Sequence, residues 1–318
     1  MGTFIIRRLF WAVFVVVLAT AVTFIIFNVL PTADPALLRA GRNATPASVA
    51  AIREQLHLSD PVYTRFFDYV KALVLHFDFG NSVFSDAEVR PLIFEALPNT
   101  LMLVAGAAVV WFGSGVAVGT ISAVRRGTFL DRFAMTSALV AISAPVYWLG
   151  LVALYLFSSD LGTFAIFPAA GTYDAANGIF THISSLFLPW IVLAASFSAI
   201  YARLLRANLL EVMSEDYIRT ARAKGLSERR VIFRHGLRSA ITPIITVLGL
   251  DIGILVGGAI LTETVFGIPG IGKLSFDAIV RNDIDIVQGA TLFLAIGVTV
   301  MSLLVDILYG FLDPRVRY

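Results

Sequence analysis

The stretch Ser214-Glu-Asp-Tyr-Ile-Arg-Thr-Ala-Arg-Ala-Lys-Gly225-Leu-Ser-Glu228 is a charged island between two strongly apolar segments. Ser214 is a good N-cap, and Glu215 and Asp216 stand where the positive end of a helix dipole favours carboxylates. Arg222 and Lys224 stand near the negative end, before Gly225. The pattern predicts one short helix, and Ser227 then caps a second that runs to Pro243. Ala221 and Ala223 in the last turn leave a low surface that another protein can approach closely. A surface helix with no apolar face of its own wants a partner.

Outward from this island, the chain is too apolar for a soluble globule of its length. Of its 318 residues 58% are hydrophobic and 14% charged, with mean hydropathy +0.84, which makes it an integral membrane protein in contact with the lipid bilayer. A net charge of only +2 argues for no nucleic-acid partner. The absence of cysteine removes disulfides, thiolate metal sites and thiol catalysis together. His57, His76, His182 and His235 are scattered without ligand spacing, so no metal site is expected.

Arg7 and Arg8 precede an uncharged run over 9–30, long enough at about 1.5 Å per residue to cross a hydrocarbon core of about 30 Å. It reads as a retained anchor and not a cleaved leader. Residues 31–97 turn water-facing. Apolar residues at helical spacing in 46–57 (Val49, Ile52, Leu56) and 62–76 (Phe66, Val70, Leu73) predict a small helical lobe. Five further apolar spans follow over 100–124, 133–157, 186–202, 241–261 and 286–307, with Pro145 and Pro189 inside two of them. The organisation is therefore an anchor at 1–30, a lobe at 31–97 and a five-helix core at 98–318 whose charged loop occupies 203–242. Sixteen of the 24 Lys and Arg residues fall on the side of the N-terminus, which places both termini and the charged island in the cytoplasm and the lobe outside. No internal repeat is visible, so any pseudo-symmetry of a pore must come from a second subunit.

Thr220, Ala221 and Gly225, with Ala221 four residues before the glycine, resemble the Glu-Ala-Ala-x-x-x-Gly loop of ABC importer permeases. Arg219 stands where that motif has glutamate. Arg238 stands where its downstream proline falls, with Leu237 kept and Pro243 five residues later. Tyr217 to Ser227 with Phe233-Arg-His235 is similar to the peptide and nickel branch of that family. So are Asp60-Pro61, Tyr69, Asp78-Phe-Gly-Asn-Ser82, Val89 and Leu97-Pro-Asn-Thr-Leu101 in the outer segment. Glu263-Thr-Val-Phe266 with Pro269-Gly270-Ile-Gly272, then Asp283, Gln288-Gly289, Asp306 and Asp313-Pro-Arg315, resembles the family's re-entrant outer stretch and C-terminal end.

The resemblance implies an all-α polytopic protein with the type I ABC importer permease fold, six transmembrane helices and a multi-pass place in the bacterial inner membrane. It implies no catalytic residues. Tyr217, Thr220, Ala221, Arg222, Lys224, Gly225 and Leu226 would couple to an ATPase, and Glu263, Phe266, Pro269, Gly270 and Gly272 would form the outer re-entrant segment. The expected partners are a sister permease, two ABC ATPase subunits or domains and an extracytoplasmic substrate-binding protein. ATP and Mg would sit on the ATPases, and this chain would bind no cofactor. The expected cargo is a di- or oligopeptide, with a nickel or metal-chelate importer as the alternative in the same branch. Two rivals stand outside the family: a self-sufficient secondary transporter, which calls for repeats and several intramembrane charges, and a membrane scaffold or sensor.

Gly267-Ile-Pro-Gly-Ile-Gly272-Lys273 fits the start of a nucleotide-binding P-loop, but Leu274 replaces the magnesium-binding hydroxyl and Pro269 removes a backbone donor. That reading is rejected. Asp251 falls near the middle of the fifth span, among Gly249, Gly253, Gly257 and Gly258. An acid at bilayer depth costs about 2.5–3.5 kcal/mol and must face protein or water, while glycines four apart allow a close helix contact, expected on the same side. Asp251 is a candidate for the translocation path, where it would meet a substrate amine. A structural hydrogen bond to a neighbouring helix is the alternative.

Overall fold

The computed structural model describes residues 2–30, 35–40, 45–55, 57–82, 85–173, 179–256 and 259–312. Among these the regular elements are helices, with isolated backbone bridges only at Asn81–Glu88 and Ser158–Phe167. A helix satisfies every backbone group within its own segment, which lipid requires. The elements are α1 (Gly2–Phe24), α2 (Pro35–Ala40), α3 (Pro46–Gln55), α4 (Val62–His76), α5 (Val89–Val124), α6 (Phe129–Ser143) and α7 (Val146–Phe157). They continue as α8 (Ile179–Val212), α9 (Asp216–Ala223), α10 (Glu228–Arg230), α11 (Leu237–Val256), α12 (Ile260–Phe266), α13 (Ile271–Arg281) and α14 (Ile284–Leu312).

Among the described residues five stretches are long and apolar enough to cross a membrane: Ile5–Val29, Val89–Val124, Ile183–Val212, Glu228–Val256 and Ile284–Val305. The pair α6 and α7 adds a sixth if it counts as one span bent by 103°. The outward faces of these helices are apolar, as Phe10, Val13 and Val17 on α1 illustrate, a surface suited to lipid and not to water.

The core is the pairing of α5 with α8, the most extensive helix contact in the structure. Small residues allow it. A Cβ on Gly115 would lie 2.6 Å from the Tyr201 Cβ, and one on Gly119 would lie 2.7 Å from the Ala202 carbonyl oxygen. Leu103, Trp111, Tyr201, Leu205 and Leu209 fill the seam and are fully buried, which holds the two backbones together by packing where lipid supplies no hydrophobic drive.

Prolines set the departures from the expected spans. Ala144 takes the extended conformation (ψ 127°) that a residue before proline prefers, so the expected span 133–157 is broken at Pro145 into α6 and α7. Pro98, Pro189 and Pro243 stay inside α5, α8 and α11. The second helix after the charged island therefore does not end at Pro243. It runs from Glu228 through a π-helical turn at Val231–Gly236 to Val256. Likewise α5 begins at Val89, eleven residues before the expected start of that span.

Helices at Pro46–Gln55 and Val62–His76 match the two expected in the segment after α1. Phe24 on α1 packs edge-on against Phe66 of α4 and beside Tyr69. The stretch after α4 then docks on the start of α14. Phe79 is buried with its Cβ close to Gly289, and the Ser82 hydroxyl donates to Asp283. Asn28 Nδ2 donates to Gln288 Oε1 at 3.0 Å, so the beginning of α14 gathers the residues flagged separately in the two halves of the sequence.

Candidate functional site

Two short-helix segments stand at opposite ends of the helix Glu228–Val256: α9 precedes it, and α12 with α13 follows it. At the α9 end, Ser214 does not cap. Its hydroxyl donates to the Glu211 carbonyl, and Glu215 occupies the N-cap position. Asp216 still falls in the first turn and Arg222 in the last, as the dipole favours. The chain leaves through Lys224 and Gly225, whose φ of +76° is the left-handed conformation that glycine adopts without strain. Arg222 Nε donates to Glu228 Oε1 at 2.6 Å, which ties α9 to the helix that follows.

This helix does have an apolar face, and the chain uses it internally. Ile218 is 0% exposed and Ala221 6%, both packed with Val231 beside Met213 and Leu226. Ala221 therefore does not offer a surface to another protein; its small side chain lets α9 lie flat on its own scaffold. The open face carries Tyr217, Thr220, Ala223 and Lys224, so Ala223 is the low exposed position there.

At the other end, Glu263 of α12 is 0% exposed and surrounded by donors. Thr100 of α5 donates to Glu263 Oε1 at 2.7 Å while accepting from the Ile271 amide at 2.9 Å. The Lys273 amide donates to Oε2 at 2.9 Å. These amides open α13, so the carboxylate satisfies donors that a helix N-terminus leaves free and sits at its positive end. Burial pushes the Glu263 carboxyl above the usual carboxylate range, while hydrogen bonds from Thr100 and from the Lys273 and Gly272 amides pull the other way.

Gly270 and Gly272 are glycines for lack of room: an added Cβ would come within 2.4 Å of the Glu263 carboxyl carbon in one case and 2.7 Å of the Ile260 Cα in the other. Phe266 is buried, and its carbonyl accepts from the Gly171 amide at 3.0 Å. The Pro269 carbonyl accepts from Asn99 Nδ2 at 2.8 Å, and Asn99 Oδ1 accepts from the Tyr173 hydroxyl at 2.9 Å. All five residues expected in the outer segment thus meet in one unit. Lys273, the P-loop look-alike's lysine, turns to Asp277 at 2.6 Å.

Residues 115–318 match the family described as binding-protein-dependent transport system inner membrane component, and residues 1–104 match the N-terminal portion described for the same membrane component. The chain belongs to this family. A putative peptide transport system permease protein of Brucella abortus (strain 2308) is 38% identical over 318 residues, covering all of both chains. A probable peptide ABC transporter permease protein of Sinorhizobium fredii is 36% identical over the same full lengths. A glutathione transport system permease protein of Salmonella typhimurium is 35% identical, again end to end. The chain is accordingly a multi-pass inner membrane permease, and its family supplies the membrane subunit of ABC importers.

In this permease Asp251 lies on α11 with its Oδ2 accepting from the Tyr201 hydroxyl of α8 at 2.7 Å. The glycine row faces elsewhere: Gly249 meets Val305 and Gly253 meets Met301 on α14. Two residues apart on a helix is a turn of about 200°, so the expectation that glycines and acid share a side is corrected. Tyr201 stands nearer the α9 end of α8 than its far end, and Met301, which meets Gly253, stands in the second half of α14, so Asp251 lies deep among the spanning helices.

One site escaped sequence reading. Asp131 of α6 accepts Arg206 Nε at 2.7 Å and Nη2 at 2.8 Å, the Gly127 amide at 2.9 Å and the Ser122 hydroxyl. It fastens α6 to α5 and α8 near α9; a carboxylate 75 residues from its guanidinium gave no signal. Among the described residues no group of His, Asp and Glu is arranged to hold a metal ion. Asp313 to Arg315 and the side chain of Asp306 lie outside the described residues.

Proposed function

We propose that this permease forms half of the translocation pathway of an ATP-driven peptide importer and couples to cytoplasmic ATPase subunits through the open face of α9. The observation that carries this reading is the two-faced build of α9: Ile218 and Ala221 are locked against Val231, while Tyr217, Thr220, Ala223 and Lys224 stand free. A helix so held moves with the span Glu228–Val256 as one body, so a force on its open face is passed into the membrane. Sixteen of the 24 basic residues lie on the α9 side, which supports a cytoplasmic α9 with both termini beside it, six crossings with α6 and α7 as one broken span, and residues 31–97 outside.

In this reading a sister permease completes the pathway, two ATPases bind ATP and Mg, and an extracytoplasmic binding protein delivers the cargo. The permease itself has no catalytic role and carries no cofactor. The relatives' names carry peptide and glutathione, which favours a peptide over a metal chelate as cargo. Buried and satisfied, Glu263 braces the outer segment against α5.

The test is peptide uptake in cells carrying the whole transport system, with the amount of this chain in the membrane measured alongside. Ala223→Trp should keep the amount within about twofold of wild type, as surface changes do, and cut uptake by about tenfold or more by blocking the docking face. Ala221→Trp should lower the amount of chain as well, because it overfills the cluster beneath α9. Wild-type uptake by Ala223→Trp would remove the coupling assignment. A mild-detergent pull-down that returned neither a second polytopic chain nor an ATPase would remove the importer reading.

A further inference from the structure

We infer that Asp251, held in place by Tyr201, is the specificity-determining carboxylate of the membrane path, which takes the primary ammonium of a peptide's N-terminus; this rests on the peptide-import reading above. Tyr201 is 0% exposed, wedged between α5 and α11 with Gly115 against its Cβ and the rings of Trp111 and Phe112 each 6.4 Å away. Its hydroxyl fixes Asp251 Oδ2 at 2.7 Å. Asp251 itself is partly exposed, and among the described residues no Lys, Arg or His pairs with it. Its Oδ1 therefore remains open to a cation.

An amide would serve the Tyr201 hydrogen bond as well as a carboxylate does, at no cost in buried charge; the negative charge gains its use from a positive visitor. Beside it on the same helix, Leu250 and Ile254 are exposed, Ile254 to 63%, and give an apolar flank along which the uncharged body of a peptide can pass. Asp251 stands five residues before the end of α11 at Val256, about 7 Å along the axis at about 1.5 Å per residue. In the proposed orientation its neighbours, Tyr201 on α8 and Met301 on α14, lie toward the inner ends of their helices, so a solute coming from outside meets the carboxylate deep in the path. Tyr201 is a positioning residue: it touches the carboxylate and not the cargo.

The experiment is uptake by the complete transport system, purified with its partners and reconstituted into liposomes. The probes are a tripeptide and its N-acetylated form, each saturating the binding protein, with ATP hydrolysis measured in parallel. Asp251→Asn preserves shape and the Tyr201 hydrogen bond. It should reduce uptake of the free-amine peptide by about tenfold or more, the scale of a lost charge-assisted hydrogen bond. Uptake of the acetylated form and ATP hydrolysis should stay within about twofold of wild type. Asp251→Glu should restore part of the free-amine uptake, and Tyr201→Phe should weaken the discrimination without abolishing it. Unchanged uptake of both probes by Asp251→Asn, or an equal fall for both together with ATP hydrolysis, would overturn the inference and leave peptide import standing. Failure of the wild-type system to take up either peptide would overturn both.

Discussion

The segment around α9 and the segment around Glu263 are both short helices joined by glycine turns at the two ends of one long helix, yet they are built on opposite principles. At α9 the apolar residues Ile218 and Ala221 face the chain and the charged ones face away. Around Glu263 the charge is at the centre, fully buried, with donors from α5 and α13 closing over it. Their glycines differ in kind too: Gly225 has open space where a Cβ would go and is needed for its positive φ, whereas Gly270 and Gly272 have no space at all. The open helix keeps its tolerance on the outside; the closed brace places intolerance at its centre.

The contrast breaks first at Gly270. Gly270→Val would force atoms into the Glu263 carboxyl, already 2.4 Å from a bare Cβ, and should lower the amount of chain in the membrane by about tenfold or more by immunoblot. A comparable amount of Gly270→Val and Gly225→Ala would show that the two ends do not differ in rigidity.

A smaller loss is expected beside α9. Arg206→Ala leaves the Asp131 carboxylate buried without its guanidinium and should cost about 3 kcal/mol in thermal unfolding of the detergent-solubilised chain. Replacing both residues by apolar ones of similar volume should recover most of it. If the single and double variants unfolded alike, the pair would not be an anchor.

The smallest effect is a pH dependence confined to the brace around Glu263. The folded Glu263 carboxyl lies above its ordinary value because of burial, so the folded chain holds its proton after the unfolded chain has released it. Stability from this group is greatest at acid pH and falls as pH rises from about 4.3 to the raised value, by at most about 1.4 kcal/mol per pH unit, then levels off. Glu263→Gln should flatten this slope in unfolding scans across that range, and an unchanged slope would assign it to another group.

The helices that keep their own periodicity were legible in the sequence. Val62–His76 coincides with its apolar spacing, and α9 falls between its acidic start and basic end. What escaped was decided by neighbours distant in sequence. Pro145 breaks its span while Pro189 and Pro243 ride inside theirs, and the residue type alone does not separate them. The same holds for side chains: Glu263 finds Thr100 across 163 positions and Tyr201 finds Asp251 across 50. Ala221 was misjudged for a related reason. Its small size speaks equally for an open surface and for a tight buried contact, and Val231 decided it.

The π-helical turn at Val231–Gly236 sets the phase between the two ends of the long helix. A π turn carries about one residue more than an α turn, so it rotates all that follows by about 100° relative to an uninterrupted helix. Val231, which seats α9, lies before most of that slippage, and Asp251 lies after it. Tightening that turn into an α turn with every residue kept would leave both ends intact in composition and turn them out of alignment, like a key cut correctly on a twisted shaft. The bearing of the α9 platform on Asp251 is thus fixed by one surplus residue in the backbone, in the same turn whose first side chain, Val231, seats α9.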